Sequence, residues 1–289
     1  MRTYSTLSKS LCLAAGLFAL CAEAVVVRST TENLSKNASE PALWKDAEIE
    51  AVDLVAQPGA IPMPKETQTE KAELQALSDG KWIAVRVSWS DTERSEDGPF
   101  GKFSDGVALQ FPRTRTEEPP NIMMGEAGAP VHIVHWKTAF QRDAEKGMKR
   151  VGEIYPNMAI DMYPMEYKNG AKLPKFTQEQ INTYSHGRAA GNPQSSPKTR
   201  GVDEIVAEGF GSSQVIEKTE AYGRGEWKDG KWSVVIAKPI AQKSGSVLDK
   251  KNKNFMALAI WQGGKNEVGS RKSVTLSWIE LLWKKEETK

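Results

Sequence analysis

Apolar and polar residues alternate along much of the chain, and this pattern predicts β-strands. In "KWIAVRVSWSD", residues 81–91, every second residue is apolar, so Ile83, Val85, Val87 and Trp89 share one face. Similar runs occur as "AELQALS", "DGVALQF", "PVHIVHW", "EIVAEGF", "VIEKTEAYGRGEW", "KWSVVIAKPI", "FMALAIWQ" and "SVTLSWIELLW". Turn signals separate several of them at Asp79-Gly80, Asp229-Gly230 and Gly263-Gly264. About ten short strands of this kind predict an all-β fold, an antiparallel β-sandwich.

Three stretches depart from this pattern. The segment "KTAFQRDAEKGMKR", residues 137–150, predicts one short helix. Residues 150–200 lose periodicity and contain the Gly/Pro/Ser-rich "RAAGNPQSSPKTRG", which predicts a long irregular surface insertion. Residues 25–40 are largely polar, and we expect them to be loose.

The N-terminal residues predict a secretory signal peptide. Arg2 and Lys9 precede the apolar run "LCLAAGLFAL", and "AEA" at 22–24 has the small-x-small pattern of a cleavage site. Cleavage near Ala24 divides the chain into a signal at 1–24 and one domain at 25–289. The apolar run is too short for a membrane span. Both cysteines, Cys12 and Cys21, lie inside the signal, so the mature domain would have no disulfide, thiolate metal site, iron–sulfur cluster or covalently attached haem.

Charge and motifs exclude several functional classes. The formal net charge is only +2, and the basic residues are dispersed, so no field favours nucleic acid. The chain has no G-x-S-x-G motif and no mature cysteine, which argues against a hydrolase with a serine or cysteine nucleophile. His132 and His135 are three residues apart on a predicted strand and point to opposite faces, so they cannot chelate one ion together without a bulge.

Tryptophan leaves two interpretations open. The chain has nine tryptophans, several of them on predicted strands, namely Trp82, Trp89, Trp232, Trp261 and Trp278. Most of these are expected in the core. Aromatic residues on a secreted sandwich can also stack on sugars, so a carbohydrate-binding module is the alternative function.

Two further features could carry chemistry. Met123 and Met124 stand before Gly125, where they serve either as core packing or as a soft sulfur ligand. In "RKSVTLSW", period two puts Lys272 on the apolar face with Val274, Leu276 and Trp278. The lysine either extends its ammonium group to water or is a neutral amine with a buried partner.

The order of motifs resembles one known family. The motifs are "LWKDAEIEAVDL", "ALSDGKWIAVRVSWSD", "DGVALQFP", "MMGEAGAPVHIVHWKTAFQ", "GEWKDGKWSVVIAKPI" and "FMALAIWQGGKNEVGSRKSVTLSWIELLW". They run from Leu43 to Trp283 and resemble the haem b-binding gamma subunit of periplasmic molybdenum enzymes of the dimethyl sulfoxide reductase family. Ethylbenzene dehydrogenase, dimethyl sulfide dehydrogenase, selenate reductase and chlorate reductase have such subunits, and nitrite oxidoreductase has a related one.

The resemblance implies a site as well as a fold. A non-covalent haem b would be held by a methionine sulfur and a lysine amine as axial ligands to iron. These map to Met124, with Met123 as the runner-up, and to Lys272. Gly125, Trp136 and His135 map to the surrounding cofactor-binding segment, and His135 is an alternative ligand.

The resemblance also implies a role without catalysis. The haem would pass electrons between the iron–sulfur beta subunit of a heterotrimer and a soluble c-type cytochrome or similar carrier. The molybdenum would be in the alpha subunit. Together with the signal peptide, this predicts a periplasmic electron-transfer subunit with no nucleic-acid partner.

Overall fold

Fourteen β-strands form the protein in a computed structural model that describes residues 23–284, except 63, 65, 97–99, 116, 150, 156–176, 178, 181–182, 184 and 193–194. The strands are β1 Ala24–Ser29, β2 Glu50–Asp53, β3 Val55–Ala56, β4 Lys71–Ser78, β5 Trp82–Ser90, β6 Gly106–Pro112, β7 Val131–Lys137, β8 Val202–Ala207, β9 Gln214–Val215, β10 Tyr222–Lys228, β11 Lys231–Pro239, β12 Phe255–Trp261, β13 Ser273–Val274 and β14 Ile279–Trp283. The helices of the described residues are α1 Leu34–Asn37, α2 Thr138–Lys146, α3 Val151–Ile154 and α4 His186–Ala189, with 3₁₀ turns at Pro41–Trp44 and Gly263–Lys265.

The strands form one curled sheet in the order β10-β11-β5-β4-β1-β14-β12-β6-β7-β8-β9. Apolar residues from both halves of this sheet meet in one core, including Val85 and Val87 of β5 and Val107 and Leu109 of β6. The two halves therefore pack face to face, as alternating strands with one apolar face require. The all-β prediction is confirmed, although the structure has more strands than expected, and β1 pairs in parallel with both β4 and β14.

The predicted hairpins are confirmed. β4 and β5 pair around a turn in which Gly80 has φ +89°, and Asp79 Oδ1 accepts hydrogen bonds from the amides of Lys81 and Trp82. β10 and β11 pair around Asp229 and Gly230, both with positive φ, which is the backbone that a two-residue hairpin turn requires. The helix predicted at 137–150 is α2.

The prediction that residues 25–40 are loose was wrong. β1 lies between β4 and β14, and Val25 and Val27 are fully buried. Its partners are about 50 and 250 residues away in the chain, so no local turn signal announces the pairing. The signal peptide predicted at 1–24 lies almost entirely outside the described residues, and so does much of the predicted insertion.

The last predicted strand is broken. "SVTLSWIELLW" forms β13 and β14, separated by the irregular residues 275–278. β13 pairs with β12 and β3, whereas β14 pairs with β1 and β12, so the break lets one segment serve both halves of the sheet. None of the helices in the described ranges is both long and apolar enough to cross a membrane.

Candidate functional site

A cavity of about 380 Å³ lies on the outer face of the half-sheet formed by β12, β6 and β7. Its floor is built from side chains that the strand register places side by side. Ala108 pairs with Ala259 on one side and with His135 on the other. The next row along the strands is Ala257, Gln110 and Ile133. Alanine side chains in the middle of the floor are short, so they leave space above the sheet for a ligand.

Two segments that approach from different edges of the half-sheet form the walls. Residues 272–276 lie beside β12, held by the pairing of β13 with that strand. Residues 121–124 are anchored toward β6 and β8. The side chain of Gln110 donates to the Ile122 carbonyl at 2.7 Å, and the amide of Gly209, just after β8, donates to the Met124 carbonyl at 2.8 Å. Other lining residues are mostly apolar, namely Pro58, Ile205, Phe210, Leu258, Val274 and Leu276.

The turn that carries the methionines is tightly constrained. Met124 has φ +69°, a left-handed conformation that is uncommon for residues other than glycine. Gly125 follows with φ +77°, and a Cβ there would lie 2.8 Å from the Ala129 carbonyl oxygen. Two amides of the turn donate to Asn121, that of Met123 to Oδ1 at 2.8 Å and that of Gly125 to the carbonyl at 2.9 Å. Strained backbone that its surroundings fix in this way is often found at ligand sites.

Lys272 brings an amine into the same apolar cavity. Its Nζ lies 5.0 Å from the centre of the Trp261 ring, and among the described residues it has no hydrogen-bond or carboxylate partner. Burial lowers the pKa of this amine to about 8. A partly buried lysine without a counter-charge binds its proton less tightly than in water, so less free energy is needed to free its lone pair for a ligand.

His135 and Trp261 close one end of the cavity. Their rings stack with centroids 4.6 Å apart and planes at 27°. The indole is held by a hydrogen bond from Nε1 to the Gly269 carbonyl at 3.0 Å. His135 Nε2 is buried and has no hydrogen-bond partner in the described structure, and burial places the pKa of the ring well below its usual value.

The structure brings together some of the predicted site residues and separates others. Met123, Met124, His135 and Lys272 all line the cavity. Gly125 shapes the methionine turn without lining the cavity. Trp136 lies on the opposite face of β7, fully buried in the core, where its Nε1 donates to Gln141 Oε1 at 2.9 Å. Trp136, which was predicted to belong to the cofactor-binding segment, therefore does not line this cavity.

Sequence reasoning gave Trp261 no role beyond packing. The structure buries it, as expected for most of the strand tryptophans, and also places it in the wall of the cavity. A signal for this role was present. Ala257, Ala259 and Trp261 share one face of β12, and two alanines beside a tryptophan on one face leave space that the large ring borders. A larger groove of about 750 Å³ lies elsewhere, beside α2, β10 and β11, but charged side chains line much of it, and it contains none of the predicted ligands.

Comparison with known families assigns the chain. The family model described as ethylbenzene dehydrogenase matches residues 41–273, which include the methionine turn and Lys272. The chain belongs to the ethylbenzene dehydrogenase family.

Two named relatives share this ancestry at low identity. A Haloferax mediterranei protein, provisionally described as a respiratory nitrate reductase heme subunit, is 22% identical over 80% of this chain. The chain spans 63% of the length of that protein. The chlorate reductase subunit gamma of Ideonella dechloratans is 22% identical over 84% of this chain and 77% of its own length.

Solved structures are more distant from this ethylbenzene dehydrogenase family member. A Bacteroides uniformis protein, provisionally described as carbohydrate-binding, is 8% identical with a TM-score of 0.44, covering 91% of this chain and 100% of that one. A family 9 carbohydrate binding module from Caldicellulosiruptor kristjanssonii is 8% identical with a TM-score of 0.40, covering 92% and 98%. These values are too low to bear on function.

The tryptophans serve mainly in packing. All nine lie within the described residues, and each is buried or only partly exposed. Trp89, Trp136 and Trp232 pack against one another in the core, with Trp89 and Trp136 each contacting the Trp232 ring. Trp227, which is partly exposed, borders the 750 Å³ groove together with the buried Trp44, Trp136 and Trp232.

Proposed function

We propose that this chain is the haem b-binding electron-transfer subunit of a molybdenum oxidoreductase complex. The observation that carries the proposal is the pair of donors in one apolar cavity, the Met124 turn and the unpartnered amine of Lys272. Membership of the ethylbenzene dehydrogenase family and the two named reductase subunits support the same role.

The residues fit a haem with axial sulfur and nitrogen ligands. The alanine floor and apolar walls suit a flat porphyrin, and thioether and amine donors suit its iron. No carboxylate among the described residues near Lys272 balances the charge of its ammonium group. Coordination to iron would remove that charge, because the amine binds a metal only after it has lost its proton. Met124 supplies a soft sulfur, with Met123 beside it as the second candidate.

Bound haem would supply one-electron transfer at a potential that a thioether ligand raises. With protein side chains in both axial positions, no position stays open for a substrate, so the chain itself would not be catalytic. The chain's own contribution is to hold the two ligands, exclude water with the apolar walls and keep the donor turn rigid.

Partners and location follow from the same proposal. We infer an iron–sulfur beta subunit and a molybdenum alpha subunit as neighbours, with a soluble c-type cytochrome or similar protein as the exchange partner. The signal peptide predicted at 1–24 would take the chain to the periplasm.

The direct test is titration of the haem-free chain with haem b, followed by visible spectroscopy. One equivalent is expected to give the Soret, α and β bands of a six-coordinate low-spin haem. Met124→Ala and Lys272→Ala are each expected to change this spectrum to high-spin, because each removes one axial ligand.

Met123→Ala is the matched control, since it removes the neighbouring thioether and is expected to keep the low-spin spectrum. Absence of haem binding would reject the function. A low-spin spectrum that survives Met124→Ala but is lost in Met123→Ala would transfer the ligand role to Met123.

A further inference from the structure

A second, smaller cavity adjoins the first at its His135 end. It has a volume of about 240 Å³ and shares His135 and Trp261 with the larger cavity. The strand register explains the continuity, because Gly106 pairs with Trp261 on one side and Lys137 on the other, one row beyond Ala108. The floor therefore continues past the apolar cavity over a residue without a side chain.

The chemistry changes at this boundary. The smaller cavity is lined by Lys102 and Lys137, whereas Lys272 is the one lysine among the described residues that line the larger cavity. His135 Nε2 lies over Gly106, where a Cβ would be 3.3 Å away. This ring nitrogen is buried and has no hydrogen-bond partner among the described residues, which is costly unless a ligand satisfies it.

Glu267 and Lys198, two charged groups near this end, have partners of their own. Glu267 lines the smaller cavity, but its Oε2 accepts from the Gln262 amide at 2.8 Å and its Oε1 from the Ser273 hydroxyl at 3.3 Å. Lys198 is ion-paired with Asp203 at 2.6 Å. Phe140 packs edge-on against His135, and Lys137 Nζ lies 5.1 Å from the centre of its ring, so the lysine is held beside the histidine.

We propose that this second cavity is the carboxylate subsite of the haem, in which His135 Nε2 donates a hydrogen bond to a propionate and Lys137 and Lys102 balance its charge. The inference rests on the proposed function and adds the orientation of the haem within the cavity. A porphyrin with two carboxylates on one edge cannot bury them among alanines and methionines at low cost. The polar, cationic end of the continuous floor is where that edge can be accommodated, so the vinyl edge faces the apolar end.

The test compares two ligands that differ only in the carboxylates. The haem-free full-length chain is titrated with haem b and with haem b dimethyl ester, and both dissociation constants are measured by absorbance. Charge-assisted hydrogen bonds predict that the wild type binds haem b about tenfold or more tightly than the ester. Both complexes are expected to be low-spin, because the axial ligands do not change.

Three variants assign the preference to this cavity. His135→Phe keeps a ring against Trp261 and removes the nitrogens, and Lys137→Met keeps the chain length and removes the charge. Each is expected to reduce the preference for haem b over its ester to within about threefold, mainly by weakening haem b binding. Lys71→Met, an exposed lysine ion-paired with Asp53 on the other half-sheet, is the control and should keep the wild-type preference.

The outcomes separate the two levels of the proposal. If haem b and its ester both bind as low-spin complexes with equal affinity, the subsite is wrong and the proposed function stands. If the preference exists but survives both His135→Phe and Lys137→Met, the carboxylates bind elsewhere and the subsite is again wrong. If neither ligand binds, the proposed function fails, and the subsite fails with it.

Discussion

At the residue scale, the unusual property of Lys272 is a partly buried amine that has no opposing charge among the described residues. Burial lowers its pKa from 10.5 to about 8, so the folded chain binds this proton less tightly than the unfolded chain does. Between these two values the unfolded state holds more protons, and the free energy of unfolding of the haem-free protein therefore rises with pH. Such a residue weakens the haem-free fold, which is explicable if it serves a ligand.

Lys272→Met is expected to stabilise the haem-free protein at pH 7 by about 1–3 kcal/mol, because the buried ammonium is replaced by an apolar chain of similar length. The advantage should shrink as the pH approaches 10. Urea unfolding at the two pH values measures it, with the exposed Lys253→Met as a control. A variant less stable than wild type at pH 7 would mean that Lys272 has a stabilising partner.

The methionine turn offers a second prediction at this scale. Gly125→Ala combines an unfavourable positive φ with a Cβ 2.8 Å from a backbone oxygen, and we expect a loss of about 2–4 kcal/mol and weaker haem binding. Gly128→Ala is a close control, because Gly128 has φ +81° and nothing within 4 Å of the added Cβ. It is expected to lose only about 1 kcal/mol, the backbone cost alone. Equal losses in urea unfolding would show that the contact at Gly125 is harmless.

At the element scale, the ends of β5, β6 and β12 meet at three buried carboxylates. Asp105 Oδ2 accepts from the Ser95 amide at 2.6 Å and from Trp232 Nε1 at 3.1 Å, and its Oδ1 accepts from the Gly263 amide at 2.9 Å. Burial, with a smaller contribution from repulsion by Asp91, raises the pKa of Asp105 and of Glu267 to about 7. These carboxylates hold the loops at one end of the sheet in place by hydrogen bonds, but burial disfavours their ionised forms.

Glu267→Gln is expected to show how much the negative charge of Glu267 costs, because the amide keeps acceptor capacity but carries no charge. The folded state holds the Glu267 proton more tightly than the unfolded state does, so its contribution to stability is full below pH 4.5 and is lost as the pH rises through 7. At pH 8 the amide variant should be about 1–2 kcal/mol more stable than wild type, and at pH 5 about equal. Denaturant unfolding at both pH values measures this, with the exposed Glu226→Gln as a control. A constant difference between the two pH values would contradict the assignment.

Elements also show what local sequence can predict. Hairpins with Asp-Gly turns were predictable, because the turn residues and the alternating strands lie within about 20 residues of one another. β1 was not, since its parallel partners are remote and a polar stretch follows its short run of valines. The site shows the same division. The side of the strand on which Lys272 lies could be predicted, because it is the side of Val274 two positions away. The role of Trp261 depends on which face of the sheet is covered, and alternation alone does not tell this.

At the scale of the whole molecule, one buried polar network joins the two half-sheets. Four donor groups surround Glu204 of β8. The Gln242 side chain and the amides of Glu220 and Ala221 donate hydrogen bonds to it, and His132 Nε2 lies close by without hydrogen-bond geometry. The Ser246 amide donates to His132 Nδ1 at 3.2 Å, so the neutral ring carries its proton on Nε2, 3.1 Å from Glu204 Oε1. Lys238 of β11 is fully buried nearby, with Nζ donating to the Pro239 carbonyl at 2.6 Å.

Glu204 and Lys238 are expected to contribute differently to the free energy of unfolding. Glu204→Gln replaces an acceptor of three hydrogen bonds by a group with two N–H donors of its own. It also removes the carboxylate with the larger effect on Lys238 and leaves Glu220 as its counter-charge. We expect a loss of about 3–5 kcal/mol. Lys238→Met removes a charge whose burial lowers its pKa to about 7, but it also removes the hydrogen bonds from Nζ to the Pro239 and Ser246 carbonyls. The two effects oppose each other, so the net change at pH 7 should lie within about 1 kcal/mol of zero.

The double variant decides between these effects. If Glu204 stabilises the fold mainly by offsetting the Lys238 charge, Lys238→Met in the Glu204→Gln background should recover about 1–3 kcal/mol by urea unfolding at pH 7. If the three hydrogen bonds to Glu204 dominate, the double variant will be as unstable as Glu204→Gln alone. Raising the pH to 10 is an independent control, because Lys238 then loses its charge in the folded state and any recovery due to charge must disappear. Recovery that persists at pH 10 would show that the methionine acts through packing against Phe111, whose ring Lys238 Nζ approaches to 5.4 Å.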